Sequence, residues 1–196
     1  MKLLAPSILA ADFLHLEKDI RMVNEHADII HLDVMDGTLV PNISFGFSVI
    51  KPVSKIAEKP MDVHLMIINP DKYFGRCAEL GVSMVSFHLE AARLAGKDPA
   101  EMLHQIKSLG MKAGLAINPD IPVEDVFPYV GEADYILVMS VFAGFGGQKY
   151  IDYCTDKIAR LNQWKKDLGL DFSIQVDGGI SPANVKTVLD AGVDNV

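Results

Sequence analysis

The stretch IIHLDVMDGTLVPN, residues 29–42, decides how the chain is read. Ile29, Ile30, Leu32 and Val34 mark a buried strand, yet His31 and Asp33 interrupt it and Asp36 follows. Side chains alternate along a strand, so Ile29, His31, Asp33 and Met35 share one face. An apolar strand with an imidazole and a carboxylate on one face needs a reason to bury them, because unpartnered polar groups are costly inside a protein.

The same kind of run recurs along the chain. LLAPSIL (3–9), MDVHLMI (61–67), MVSFHLE (84–90), KAGLAIN (112–118), YILVMSV (135–141) and FSIQVDG (172–178) read as further strands. Between them apolar residues fall at helical spacing: Phe13, Leu16, Ile20 and Val23; Met102, Leu103, Ile106 and Leu109; Ile158, Leu161 and Leu168. Gly81 and Gly110 follow helical segments, where a left-handed cap is wanted. Near-continuous apolar strands alternating with helices imply a parallel sheet covered on both faces. A (β/α)₈ barrel and an open doubly wound sheet both satisfy that pattern. Polar residues near the C-terminal ends of several strands favour the barrel, which builds its sites there. The expectation is one barrel domain over residues 1–196, with an eighth strand beginning at Asp194-Asn195-Val196 and a closing unit beyond Val196. Without that strand, the first and seventh would expose unpaired edges.

Composition narrows the class. Apolar residues make up 49% of 196, enough for a sizeable core. No uninterrupted apolar run is long enough to span a bilayer. The start MKLLAPSILAAD mimics a signal peptide, but Pro6 and Asp12 break the run, and it reads as the first buried strand. A net charge of −8 argues against general nucleic-acid binding. Cys77 and Cys154, far apart, make neither a disulfide framework nor a zinc cluster and suit a reducing cytoplasm.

On the third predicted strand Asp62, His64 and Met66 share a face; on the seventh, Ser173, Gln175 and Asp177 do. His31, Asp33, His64 and Asp177 can therefore converge at one end of a barrel, as a site for Zn²⁺, Fe²⁺, Mn²⁺ or Co²⁺. A buried His31–Asp33 ion pair and a core histidine at 64 account for the same spacing. AGFGGQ (143–148) and DGGI (177–180) follow late strands, where glycines let backbone amides approach an anion; ordinary turn glycines are the simpler reading. Met35, Met66 and Met139 can keep that end of the barrel dry. His88 and Glu90 form another His-x-Glu pair on the fourth strand, read as supporting rather than ligating. His15, His26 and His104 sit on helical segments facing solvent.

APSILAADF, HLDVMDGTLVPN, DVHLMI, GLAINP, GFGGQ and VDGGI occur in this order over essentially the whole chain. Together they closely resemble the ribulose-phosphate 3-epimerase family. The resemblance implies a (β/α)₈ TIM barrel of the ribulose-phosphate-binding type, interconverting D-ribulose 5-phosphate and D-xylulose 5-phosphate. It implies His31, Asp33, His64 and Asp177 as ligands of one divalent metal, Zn²⁺ first. Asp33 and Asp177 match the acid/base pair, and the metal would act as Lewis acid for an ene-diolate. Ser7, His64 and Asp177 match substrate contacts, and Gly144, Phe145, Gly146, Gly147, Gly178 and Gly179 match phosphate-loop positions. The implied setting is cytoplasmic, with a phosphorylated ketose as substrate, no nucleic acid or membrane partner, and a homo-oligomer (dimer or hexamer).

The sequence departs from the family in two places. Phe142-Ala143 stand where the family has an acidic residue or Asn followed by Pro, so the loop loses a rigid proline. The family's Gly-Ser phosphate loop after strand eight is absent from residues 1–196 and is expected after Val196. Three rivals remain: a 3-epimerase of a ketohexose 6-phosphate such as allulose 6-phosphate, a metal-free phosphate-binding barrel enzyme, and a non-catalytic sugar-phosphate-binding barrel.

Overall fold

The structure, a computed structural model, describes residues 2–196. Its centre is a six-stranded parallel sheet whose neighbours follow chain order. The strands are β1 (Ile30–Met35), β2 (Met61–Met66), β3 (Met84–His88), β4 (Lys112–Ile117), β5 (Tyr135–Met139) and β6 (Ser173–Asp177). α1 (Leu16–His26) leads into β1, and α2 (Phe47–Val53), α3 (Phe74–Glu79), α4 (Leu89–Leu94), α5 (Pro99–Ser108) and α6 (Cys154–Leu168) return the chain between later strands, except that a 3₁₀ helix, Val123–Tyr129, joins β4 to β5. α7 (Val185–Ala191) follows β6.

The strand faces separate as alternation requires. Ile30, Leu32, Val34, Val63, Leu65, Val85 and Phe87 point outward and pack with helix residues such as Ile20, Leu103, Ile106, Ile158 and Leu161. The opposite face fills the barrel interior, with Ile29, Met84, Ala116, Tyr135, Leu137 and Met139 packed together. Gly81 and Gly110 adopt left-handed φ of 72° and 81° after α3 and α5, as the sequence suggested.

The run at 3–9 differs from its expected form. It is extended and makes bridges at Leu3 and Ser7 without becoming a regular strand, and Ile8–Ala10 turn into a 3₁₀ helix. Pro6 has no N–H for a ladder, and Ser7 Oγ accepts from Leu9 N at 3.0 Å, which turns the chain away. Its carbonyls still serve β1: His31 N donates to Pro6 O at 3.1 Å.

The expected open edges are joined over their first residues. Asn195 bridges Leu3 on one side and Gln175 on the other. Leu3 N donates to Asp194 O (2.8 Å), Ala5 N to Val196 O (2.7 Å) and Val176 N to Asn195 O (3.1 Å). Glu90 also moves from its expected strand: β3 ends at His88, and Glu90 lies in the first turn of α4.

Gly114 on β4 faces Tyr135 on β5 in register. A Cβ on Gly114 would fall inside the Tyr135 ring, so the glycine makes the space through which this tyrosine crosses the interior. Gly114→Ala is therefore expected to destabilise the fold by about 1–3 kcal/mol, the usual cost of overpacking. Denaturant unfolding of the variant beside wild type measures it, and equal midpoints would mean that the ring has another place to go.

Candidate active site

His31 and Asp33 project inward from β1, His64 from β2, and Asp177 from the end of β6. One ligand atom from each of the four lies within 4.8 Å of every other. β1 and β2 pair with Asp33 opposite His64, so parallel register alone brings these two together. His64 Nδ1 is 3.0 Å from Asp33 Oδ1 and 3.9 Å from Asp177 Oδ2. Ser7 Oγ donates to Asp33 Oδ2 at 2.5 Å, so the irregular first segment still delivers its serine.

The chemistry of these donors fits a divalent cation. His31 Nδ1 donates to Asp62 Oδ2 at 2.9 Å, which directs Nε2 into the site. That buried Nε2 has no hydrogen-bond partner; its nearest acceptor, Asp33 Oδ1, lies 3.4 Å away. Two imidazole nitrogens and two carboxylates suit a first-row transition ion, and a metal-bound histidine usually gives its other nitrogen to a carboxylate. The His31–Asp33 ion pair runs through this nitrogen at 3.4 Å and still leaves it without a hydrogen bond.

Asp62 had no role in the sequence reading. It is fully buried and accepts from His31, from Tyr135 Oη at 2.8 Å and from Gln175 Nε2 at 2.8 Å. Its signal was present: Asp62 and Gln175 stand two residues before His64 and Asp177, on the same faces. The Tyr135 contact depends on Gly114 and had no local signal.

The two aspartates sit in contrasting environments. Burial pushes the Asp33 pKa up, but the charges of His31 and His64 and the hydrogen bond from His64 overcome it and hold Asp33 well below the usual carboxylate range. Burial also raises Asp177, and repulsion from Asp33 adds to it, so Asp177 stays above its ordinary value. Burial works to lower His31, yet Asp33 and Asp62 outweigh it and hold that imidazole well above its ordinary pKa. For His64 burial prevails and lowers the pKa.

A cavity of about 400 Å³ opens onto these residues. Met35, Met66 and Met139 line it as expected, together with Ser7, the 142–148 loop and the 177–180 loop. Gly144, Phe145, Gly146, Gly147, Gly178 and Gly179 all border it. Gly178 and Gly179 have φ of 111° and 68°, and a Cβ on either would strike Val141 or the backbone of Tyr150. No other residue fits there, so the loop backbone stays bare toward the cavity.

Asp36 is not part of this group. It accepts the N–H groups of Thr38 (2.8 Å), Leu39 (3.0 Å) and Ile68 (2.9 Å) and staples the loops after β1 and β2. His15, His26 and His104 are exposed, and Cys77 and Cys154 are buried free thiols. Burial pushes the Cys77 thiol up to about 12, which removes it from nucleophilic chemistry. Among the described residues, no helix is long and apolar enough to cross a membrane.

The sequence profile of the ribulose-phosphate 3 epimerase family matches residues 3–196. The chain belongs to that family. It is similar to the ribulose-phosphate 3-epimerase of Synechocystis, with 43% identity covering 98% of this chain and 83% of the relative. It is also similar to that of Bacillus subtilis, with 39% identity covering 97% and 87%. A relative from Oryza sativa, the cytoplasmic isoform, is 39% identical over 97% of this chain and 82% of its own length. Among solved structures, the tryptophan synthase α-subunit of Pyrococcus furiosus superposes with a TM-score of 0.72 at 15% identity. That match covers 100% of this chain and 85% of the other, and at such identity it speaks for the barrel fold alone. Membership makes the chain an epimerase by family, and the His/Asp cluster is compatible with a divalent metal site.

Cation binding should depend on pH with a definite sign. In the metal-free protein the raised pKa of His31 keeps a proton on the nitrogen whose lone pair a cation needs. A cation must displace it, whereas Asp177 can offer one oxygen and keep a proton on the other, so affinity should rise with pH until His31 is neutral, and binding should release a proton. Calorimetric titration of Zn²⁺ in buffers of different ionisation enthalpy measures that release. Affinity that does not change with pH would refute the assignment of these ligands.

Proposed function

We propose that this chain catalyses the metal-dependent C3 epimerisation of D-ribulose 5-phosphate to D-xylulose 5-phosphate. The observation that carries it is the pair Asp33 and Asp177: two carboxyls on one cavity, held in opposite protonation tendencies, beside an unpartnered imidazole nitrogen. Epimerisation removes the proton next to the C2 ketone and returns one to the opposite face, so it needs one group ready to accept and another ready to donate. Asp33 enters as carboxylate and accepts; Asp177 donates, and the roles exchange in the reverse direction.

His31, Asp33, His64 and Asp177 would hold the cation, with Zn²⁺ the first choice and Fe²⁺, Mn²⁺ or Co²⁺ the alternatives. When bound, it supplies Lewis-acid stabilisation of the negative charge that develops on the substrate during proton removal. Ser7 keeps the Asp33 carboxylate oriented through its 2.5 Å hydrogen bond. The three methionines exclude water around the carboxylates, which strengthens local electrostatics. The bare backbone of residues 144–147 and 178–179 would receive the phosphate, as glycine loops commonly do. The family and its named relatives favour the pentose phosphate over a ketohexose phosphate. A single barrel domain, a homo-oligomeric state, a cytoplasmic location and the absence of nucleic-acid partners belong to the same reading.

The deciding assay is conversion of ribulose 5-phosphate with and without chelator. Activity lost on chelation and restored by divalent metal is expected; undiminished activity in metal-stripped protein would refute the metal. Asp33→Asn and Asp177→Asn should each slow turnover by about 10²–10⁴-fold, the usual contribution of an acid/base group. Solvent deuterium should enter the product at C3. Near-normal turnover in either variant, with metal still bound, would remove that aspartate from proton transfer. His64→Ala should lower metal content and activity together, and full occupancy with full activity would make His64 a core residue.

A further inference from the structure

Behind the site runs a line of polar groups that proton transfer does not use. His64 Nε2 lies 2.9 Å from His88 Nε2, and His88 Nδ1 lies 3.4 Å from Glu90 Oε1. The same Glu90 oxygen accepts from Asn118 N at 3.1 Å and Asn118 Nδ2 at 2.9 Å. Asn118 Oδ1 in turn accepts from Ala143 N at 2.9 Å, at the start of the glycine loop. His88 is fully buried, and its ring lies edge to edge with that of His64, centroids 5.0 Å and planes 18° apart.

Hydrogen-bond polarity restricts how this line can be protonated. A carboxylate only accepts, so Glu90 is satisfied when His88 carries its proton on Nδ1. His88 Nε2 is then a lone pair, which calls for a proton on His64 Nε2. His64 Nδ1 is left as a lone pair facing Asp33 and the cavity, as a cation ligand must be. In the opposite sense His64 Nδ1 donates to Asp33, and His88 Nδ1 turns a lone pair on Glu90. Each ring holds one proton in both arrangements, so the exchange is purely tautomeric. Without a cation the demands of Asp33 and Glu90 oppose each other; with one on His64 Nδ1 they agree.

We propose that Glu90 and Asn118 are positioning residues: Glu90, through His88, holds His64 in its ligating tautomer, and Asn118 ties this line to the backbone at Ala143. The proposal rests on the metal reading of the site, and the experiment separates the two. Zinc affinity is measured for the full chain by chelator competition, and histidine tautomers by long-range ¹⁵N–¹H spectra of the zinc-loaded protein. Wild type should show His88 protonated on Nδ1. Glu90→Ala should bind zinc about 10–100-fold more weakly, the usual loss when a ligand's supporting partner is removed. It should also gain less thermal stability from zinc than wild type does, whereas a merely structural loss would lower Tm equally with and without metal. Glu90→Gln, which keeps volume and an acceptor, should show a smaller loss in the same direction and decides the matter if the alanine variant does not fold. Asn118→Ala, which removes one of the donors that orient Glu90, should weaken zinc binding less than Glu90→Ala does and should lose the protection of the Ala143 amide against hydrogen exchange. Equal zinc affinity in wild type and folded Glu90 variants, or His88 protonated on Nε2 in the loaded protein, would overturn the proposal. Wild type that binds no zinc would overturn the metal reading itself.

Discussion

A carboxylate with no access to water sits at the centre of the barrel, and much of the interior is arranged around its charge. Asp62 is held ionised: burial opposes the charge, but His31, Gln175 and Tyr135 together outweigh it. The three donors come from β1, β6 and β5, so the charge is satisfied only when the sheet has curled far enough to bring its two ends together. Leaving any donor out would cost about 1–3 kcal/mol for an unsatisfied buried group, more for a charged one. Register supplies the first donor, because Asp62 lies opposite His31 in the ladder. Space supplies the second, because Gly114 leaves the Tyr135 ring a path across the floor. Barrel closure and site geometry are thus linked by one charge.

That charge sets the orientation of His31 and, through it, the asymmetry above. With Nδ1 committed to Asp62, His31 can present only Nε2 upward, beside Asp33. Asp33 lies within reach of both histidines and takes most of the benefit. Asp177 stands farther away, at the rim of the same cavity, and is left with desolvation and a negative neighbour. Two chemically identical side chains are driven apart by position alone, the condition under which one site can hold an acid and a base.

The sequence carried the fold and the four converging residues because both follow from strand periodicity. Alternation placed His31 with Asp33 and aligned His64 and Asp177 inward, and the structure brings all four together. What it did not carry depends on contacts between distant residues. Asp62 and Gln175 had the right parity but no visible partner, since their hydrogen bond spans 113 residues. The first segment read as a strand because its apolar run ignores what Pro6 and the Ser7 turn do to the backbone. Glu90 read as strand because the apolar pattern continues through Leu89, while the helix begins there. Local pattern locates elements, but their ends are set by hydrogen-bond competition that pattern does not display.

The remaining departure, Phe142-Ala143, takes on a different meaning once the contacts are known. A family member with proline at this position would hold the loop through a fixed φ. Ala143 lacks that ring but carries an N–H, and Asn118 Oδ1 accepts it at 2.9 Å, a bond proline could not make. Farther along, Asn42 Nδ2 donates to Gly144 O at 2.8 Å, and Gln148 Nε2 donates to Phe142 O and Phe145 O at 2.7 and 2.8 Å. The loop is therefore held by side-chain hydrogen bonds rather than by a covalent restraint. His31, Asp33 and His64 stand inside the β1–β2 ladder, where displacement would break several backbone bonds at once. The residues proposed to grip the metal are fixed by the sheet and those proposed to grip the phosphate by exchangeable contacts, so the loop can vary in sequence while the metal site keeps its geometry.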